Sequence, residues 1–460
     1  VNRFDDALIS GSIYRSVWRI AWPVITLNLV NGLHALVDHI LVGHYVQVEN
    51  NAGNAAIGAA WQVFLVLVVF IASVFHGMNV LIARYAGRRD QARVSHVAYE
   101  AFISAVYVLV LVVAPAGYFI APYLLDFIEA DAVVHDLALP YLRLLFCGGS
   151  PLFLMFMITG AFQAAGDPKT PLMLGVLTTV LNVVISYILI VHAGLGTIGA
   201  ALGTVLAPMV TVSVALTLIM SRKMIILPPD HFRLIPNLAI MKTVVRIGIP
   251  TGVQGVLLNI GGVLLLRYLG TLEDSAAATA AYVLCYSQLF SVVTWTSFGL
   301  RAAAGTLSGQ NLGAEKPERA AQCVYVAAAF GAVWAGGWGV VYWFQPETLL
   351  GLFNVSSGPE LTLGTSLLRY LAFSGIALAT TLGLTGGLQG AGDTKSPMYI
   401  AFLTQILVLL GICQGFQMAG TLTAERIWQA ILISHSSRLV LTWLAFRYGK
   451  WAHIKVELEH

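Results

Sequence analysis

Apolar residues gather into long runs along the chain, and most charged residues fall between them. Twelve runs approach or exceed the roughly 20 apolar residues that a spanning helix needs. They cover 16–43, 52–82, 95–120, 133–160, 170–192, 197–221, 241–268, 277–304, 320–345, 361–388, 396–417 and 424–446. Their length argues for helices rather than a barrel, whose strands would alternate over about ten residues. The pattern predicts an all-α integral membrane protein with twelve transmembrane helices.

The pattern also repeats. Gly160-Ala161-Phe162-Gln163-Ala164-Ala165-Gly166-Asp167-Pro168-Lys169-Thr170-Pro171 returns as Gly386-Gly387-Leu388-Gln389-Gly390-Ala391-Gly392-Asp393-Thr394-Lys395-Ser396-Pro397, seven of twelve positions identical at an offset of 226. Gly87-Arg88-Arg89-Asp90 aligns with Gly313-Ala314-Glu315-Lys316 at the same offset, and Arg19 to Pro23 aligns with Arg246 to Pro250 at 227. These matches predict two pseudo-symmetric six-helix lobes: 1–223 as the N-lobe, 224–240 as a cytoplasmic linker rich in proline, and 241–460 as the C-lobe with a short tail. An even number of helices per lobe gives both the same orientation, as in parallel-repeat transporters, where the substrate site lies at the repeat interface near the bilayer midplane.

Composition agrees. The 460 residues are 58% hydrophobic and 10% charged, with mean hydropathy +0.80, whereas soluble domains carry about 25% charge. The pI near 8.6 reflects topology rather than a nucleic-acid partner. Placing the N-terminus in the cytoplasm puts Arg3, Arg15, Arg19, Arg84, Arg88, Arg89, Arg93, Lys169, Arg222, Lys223 and most later basic residues on the inner face. That is the positive-inside bias, and it predicts that both termini are cytoplasmic. The N-terminus lacks a signal-peptide pattern. The four cysteines (Cys147, Cys285, Cys323, Cys413) form no Cys-x-x-Cys pair and read as small buried hydrophobes. No phosphate-binding Gly-x-x-x-x-Gly-Lys-Ser/Thr loop and no zinc-protease pattern is present, so neither ATP nor a resident cofactor nor an enzymatic activity is expected.

Chemistry concentrates in the first run, which carries Pro23, His34 and Asp38. Ionisable groups within a membrane span usually face a bundle interior or a water-filled cavity and mark ion pathways. Asp38 is therefore either an acceptor of a coupling ion or a structural hydrogen-bond node. His34, four residues earlier, shares its face and either tunes Asp38 or is a neutral polar neighbour. Pro23 and Pro250 sit inside the first helix of each half, where proline kinks a helix; such a kink either gates or is purely structural. Gln254, Asn259, Tyr286, Gln288 and Trp295 are candidate lining residues, the aromatics suiting flat or cationic compounds. Arg143, Arg369 and Arg438 are expected to snorkel, and Arg301 to reach lipid phosphate.

Taken together, these features resemble the multidrug and toxic compound extrusion (MATE) family of secondary transporters over nearly the whole chain. The resemblance rests on the two six-helix halves, Pro23, the stretch Val37-Asp38-His39-Ile40-Leu41-Val42-Gly43, and the paired Gly-Asp turns. It implies an N-lobe cation site of Asp38, Asn182 and Thr204, able to hold Na⁺ or to exchange H⁺. One turn beyond Asn182 the family has a carboxylate or Asn; this chain has Ser186, a departure that tilts the expectation toward H⁺ because a hard cation wants several oxygen ligands. Asn182, Ser186 and Thr204 read equally as interhelical hydrogen-bonding residues. The C-lobe acid of several relatives is missing. The resemblance implies export of small hydrophobic or cationic organic compounds by antiport with H⁺ or Na⁺, from a multi-pass monomer in a bacterial inner membrane, with lipids as neighbours. A lipid-linked precursor flippase of the wider superfamily is the alternative; its cavity would be strongly cationic, and the runs here look poor in Arg and Lys. An ion channel or passive facilitator is the alternative of another class, and no selectivity filter is visible.

Overall fold

The computed structural model describes residues 4–45, 52–127, 132–229, 235–353 and 355–456. Side chains of 32–39, His34 and Asp38 among them, and of several residues between 62 and 75 lie outside the described ones. The described elements are helices, as expected of a chain whose backbone polar groups must be satisfied within each span. In chain order the long ones are α1 (Ile13–Tyr45), α2 (Ala52–Gly87), α3 (Gln91–Asp126), α4 (Ala132–Gly148), α5 (Ser150–Ala165), α6 (Lys169–His192) and α7 (Gly196–Met220). The second half follows as α8 (Leu238–Gly270), α9 (Ser275–Leu289), α10 (Ser291–Gly313), α11 (Pro317–Phe344), α12 (Pro359–Gly390), α13 (Lys395–Met418) and α14 (Ala424–Tyr448). Among the described residues seven helices are long and apolar enough to cross a membrane, or nine if each bent pair is one span.

Those pairs correct the expectation of continuous spans over 133–160 and 277–304. α4 and α5 meet at 51°, α9 and α10 at 40°. The first break falls at Gly148-Gly149 with Pro151 at the start of α5, where proline is tolerated because its missing N–H is unpaired anyway. The second follows a widened π-helical segment, Val283–Leu289.

The repeat is visible in the backbone. Gly166 and Gly392 both adopt the left-handed conformation, with φ of 100° and 96°. Asp167 N–H donates to Phe162 O and Asp393 N–H to Leu388 O, both at 2.9 Å. Asp167 accepts from Thr170 N–H at 3.2 Å and Asp393 from Ser396 N–H at 3.1 Å, so each acid caps the helix that follows. Arg89 and Glu315, both non-glycine, share positive φ at 59° and 58°.

The chain divides into two compact units. One is built mainly from Thr26–Ile249, the other from Asp6–Ile25 with Pro250–Val456. The division passes through α1 and α8 close to Pro23 and Pro250. In unit 1 the start of α8 is held by close packing: a Cβ on Gly77 would lie 1.9 Å from Val244 O. The connector is fastened to α3, where Ser95 Oγ accepts from Leu227 N–H at 3.0 Å and Glu100 accepts from Asn237 N–H at 2.7 Å. In unit 2 Leu8, Val17, Ile20 and Ala21 join a core with Leu300, Leu307, Val324 and Leu388. Arg319 Nη2 donates to Gly11 O at 2.7 Å and Lys316 Nζ to Ile9 O at 3.0 Å.

Small residues let the helices of unit 2 approach. A Cβ on Gly390 would lie 2.1 Å from Gly305 O, the close-packing role of small residues in membrane helices. Gly390→Val is expected to lower stability by about 1–3 kcal/mol or more, as overpacking does. Gly411→Ala, with open space around it, is expected to leave the thermal midpoint of the detergent-solubilised protein where it is; equal midpoints for both variants would contradict the packing described.

Candidate functional site

Three side chains of α6 define the site in unit 1. Thr179, Asn182 and Ser186 recur at i, i+3 and i+7, which places them on one helical face. Asn182 and Ser186 are completely buried. Thr179 Oγ1, both Asn182 side-chain polar atoms and Ser186 Oγ have no hydrogen-bond partner among the described residues. Buried polar groups are nearly always bonded, and one left unpaired costs about 1–3 kcal/mol. Together they set three side-chain oxygens on one face of α6.

Glycine on the neighbouring helix brings α7 against this face. A Cβ on Gly203 would lie 2.0 Å from Ser186 Oγ, so only glycine fits there. Thr204, next along α7, is buried, and its hydroxyl donates to Ala200 O at 3.1 Å, leaving oxygen lone pairs free. Further along the seam Thr178 and Thr211 join their hydroxyls at 3.0 Å.

α1 runs beside α6. A Cβ on Gly175 would meet Leu27 Cδ1 at 2.0 Å, and Tyr45 packs edge-on against Tyr187 with ring centroids 6.3 Å apart. Both sequences increase between these contacts, so the helices are parallel. The interval holds His34 and Asp38 on α1, whose side chains lie outside the described residues, and Thr179, Asn182 and Ser186 on α6. Of the expected cation set, then, Asn182, Ser186 and Thr204 stand on one seam. Thr179 was missed, since a lone threonine in an apolar run gives no signal until its neighbours on the face are known. Among the described residues no cluster of three or more His, Cys, Asp or Glu could hold a metal.

The expected lining residues all lie in unit 2, in unlike surroundings. Gln254 is buried and accepts from Gln389 Nε2 at 2.8 Å; Gln389 Oε1 in turn accepts from Arg301 Nε at 3.1 Å and Nη2 at 2.7 Å. Arg301 thus points into a polar chain, which corrects its assignment to lipid phosphate. Asn259 is exposed and bonds its own helix at Gly255 O. Gln288 is exposed, and Trp295 is exposed beside Phe298. Tyr286 is partly buried and stacked on Tyr282 at 5.0 Å. Pro23 is buried inside α1.

Two further readings change. Cys147 is exposed, unlike the other three cysteines. Arg438 does not snorkel: it is 8% exposed and bonds Thr404 Oγ1 and Gln405 Oε1. Arg143 lies over the Tyr118 ring at 4.4 Å, and Arg369 is exposed beside Trp343.

Comparison with known proteins gives one consistent result. The MatE family pattern matches residues 23–188 and 250–412. A probable multidrug resistance protein NorM from Thermotoga maritima is 24% identical over 457 residues, covering 95% of this chain and 93% of the relative. The fold is similar to that of a solved structure described as the outward-facing conformation of a multidrug resistance MATE family transporter of the MOP superfamily, with TM-score 0.87 and 21% identity over 96% of this chain and 97% of the other. A MOP superfamily transporter from Pyrococcus furiosus is similar with TM-score 0.86 and 21% identity, again over 96% and 97% of the two chains. That protein is described as having a binding pocket of reverse polarity, suggesting a different function.

Proposed function

The chain belongs to the MatE family and is a MATE-type secondary transporter rather than an enzyme, and from that premise we propose that it exports small hydrophobic organic compounds, cationic ones among them, by antiport with H⁺ or Na⁺. It works as a monomer of twelve spanning helices in two six-helix lobes, with both termini in the cytoplasm. Energy comes from an ion gradient.

The observation that carries this reading is the face of α6 whose oxygens find no partner among the described residues. Oxygen-bearing side chains in a row on one buried helix face are the kind of donor set that a hard cation takes. The helical period supports Asp38 as the missing charge. Counting from Leu27, positions 34 and 38 are i+7 and i+11; counting from Gly175, so are Asn182 and Ser186. Leu27 against Gly175 and Tyr45 against Tyr187 bracket both sets, so His34 and Asp38 lie in the stretch of α1 that runs beside Thr179, Asn182 and Ser186.

Na⁺ would draw its oxygens from Asp38, Asn182 and Thr204, with Ser186 and Thr179 at hand; a proton would need Asp38 alone. Ion binding alters how α1 packs along α6 and so favours one access state. The equilibrium moves only by the difference in ion affinity between states, since equal affinity shifts nothing. Pro23, inside α1, is where proline lets the helix bend in response to that change.

The test is reconstitution in liposomes with a pH gradient or a Na⁺ gradient imposed separately. Movement of a fluorescent cationic dye is expected to follow one gradient and to stop when that gradient is dissipated. Dye flux indifferent to both gradients would instead identify a passive facilitator.

A further inference from the structure

Unit 2 carries a buried charge that ion coupling in unit 1 does not use. Arg438 lies fourteen residues after the start of α14 and ten before its end at Tyr448. At 1.5 Å per residue that is about 15 Å from the helix end, near the middle of a hydrocarbon layer about 30 Å thick. Its Nε donates to Thr404 Oγ1 at 3.0 Å and its Nη2 to Gln405 Oε1. Nη1 has no hydrogen bond among the described residues. Among the described residues no carboxylate balances it, and every acidic residue of unit 2 stands at a helix end or in a turn.

The surroundings are polar and built. His435, one turn before Arg438, is 5% exposed, and its Nδ1 has no partner among the described residues. Its ring stacks with Tyr286 at 6.4 Å. Ser434 Oγ donates to Thr404 O at 2.8 Å. Gln405 is wedged against α8, where a Cβ on Gly261 would lie 2.3 Å from its Cγ. Thr404 and Gln405 belong to the π-helical segment Phe402–Leu410, and Tyr286 to Val283–Leu289; such segments are rare and often occur at functional sites.

Duplication supplies the control. Thr404 stands 226 residues after Thr178, the offset of the repeat. In unit 1 Thr178 is met by the hydroxyl of Thr211; in unit 2 Thr404 is met by a guanidinium. The seam can therefore be closed without charge, so packing does not require an arginine. A charge buried at mid-span is costly and usually marks a pathway.

We propose that Arg438 and His435, positioned by Thr404 and Gln405, form an anion subsite that binds a carboxylate or phosphate on the transported compound. This rests on the transport reading and narrows it: the cargo carries an acidic group, alone or beside a cationic one. The planar guanidinium suits such oxyanions.

The test uses the full-length protein in detergent, without any gradient, and two forms of one xanthene dye: the free carboxylate and its methyl ester. The carboxylate is expected to bind about tenfold or more tightly than the ester, the scale of a charge-assisted hydrogen bond. Arg438→Gln removes that preference, Arg438→Lys retains part of it, and Arg369→Gln, an exposed arginine, keeps all of it. Arg438→Lys keeps the charge and decides the matter where Arg438→Gln fails to fold. Equal binding of the two forms, or a preference that survives Arg438→Gln, overturns the proposal. A polyprenyl phosphate is added in competition: displacement of the dye assigns the anion to a lipid phosphate, and undisturbed binding assigns it to a soluble compound. The preference is expected to survive Asp38→Asn, so failure here and failure of ion coupling are separate results.

Discussion

Asp38→Asn is expected to reduce gradient-driven dye export to the level of protein-free liposomes while the protein still folds and inserts. The two side chains have nearly the same shape, so packing is kept. The amide neither takes up a proton nor carries the charge that makes a cation site, so no ion energy enters the cycle. Equilibrium dye binding in detergent is expected to persist, because the change removes the drive and not the cargo site. Export unchanged in this variant would remove Asp38 from the mechanism. Loss of both export and folding would mark it as a structural node instead.

Asn182→Leu is the second large effect, and its direction separates two roles. Asn182 is completely buried, and neither of its polar atoms has a partner among the described residues. A leucine of similar bulk removes those groups, and relieving unpaired buried polarity is worth about 1 kcal/mol or more. The thermal midpoint is expected to rise while gradient-driven export falls by about tenfold or more, the size of one lost ion–oxygen contact of about 1.4 kcal/mol. Stability gained as function is lost is the usual signature of a site held open for a ligand. If Asn182 instead served to bind helices together, the midpoint would fall along with export.

The architecture was largely legible before any coordinates, and for a physical reason. Lipid demands long apolar helices, so composition and run length point to them, and the duplicated turns reveal the two halves through Gly166 and Gly392, whose left-handed backbone few other residues adopt. The fastening of the connector was not legible. It depends on Gly77 admitting Val244 and on Ser95 and Glu100 accepting from Leu227 and Asn237, all long-range events without a local signal. In the same way the hydroxyls and amide of α6 were readable only as scattered polar residues until Gly203 and Gly175 fixed which face was covered. Arg438 was misread because a basic residue on an amphipathic helix resembles one that reaches for the surface; only the partners at Thr404 and Gln405 reveal that it turns inward.

Export by antiport requires an ion to move inward each time a compound moves outward. Counterflow tests this most directly: liposomes are loaded with a pH-sensitive dye, ²²Na⁺ is supplied outside, and the organic substrate is released from within by the native protein and by Asp38→Asn. The account predicts that native protein admits one of the two ions in fixed proportion to substrate leaving, and that the variant admits neither. Substrate leaving without ion entry, or ion entry undiminished in the variant, would contradict it.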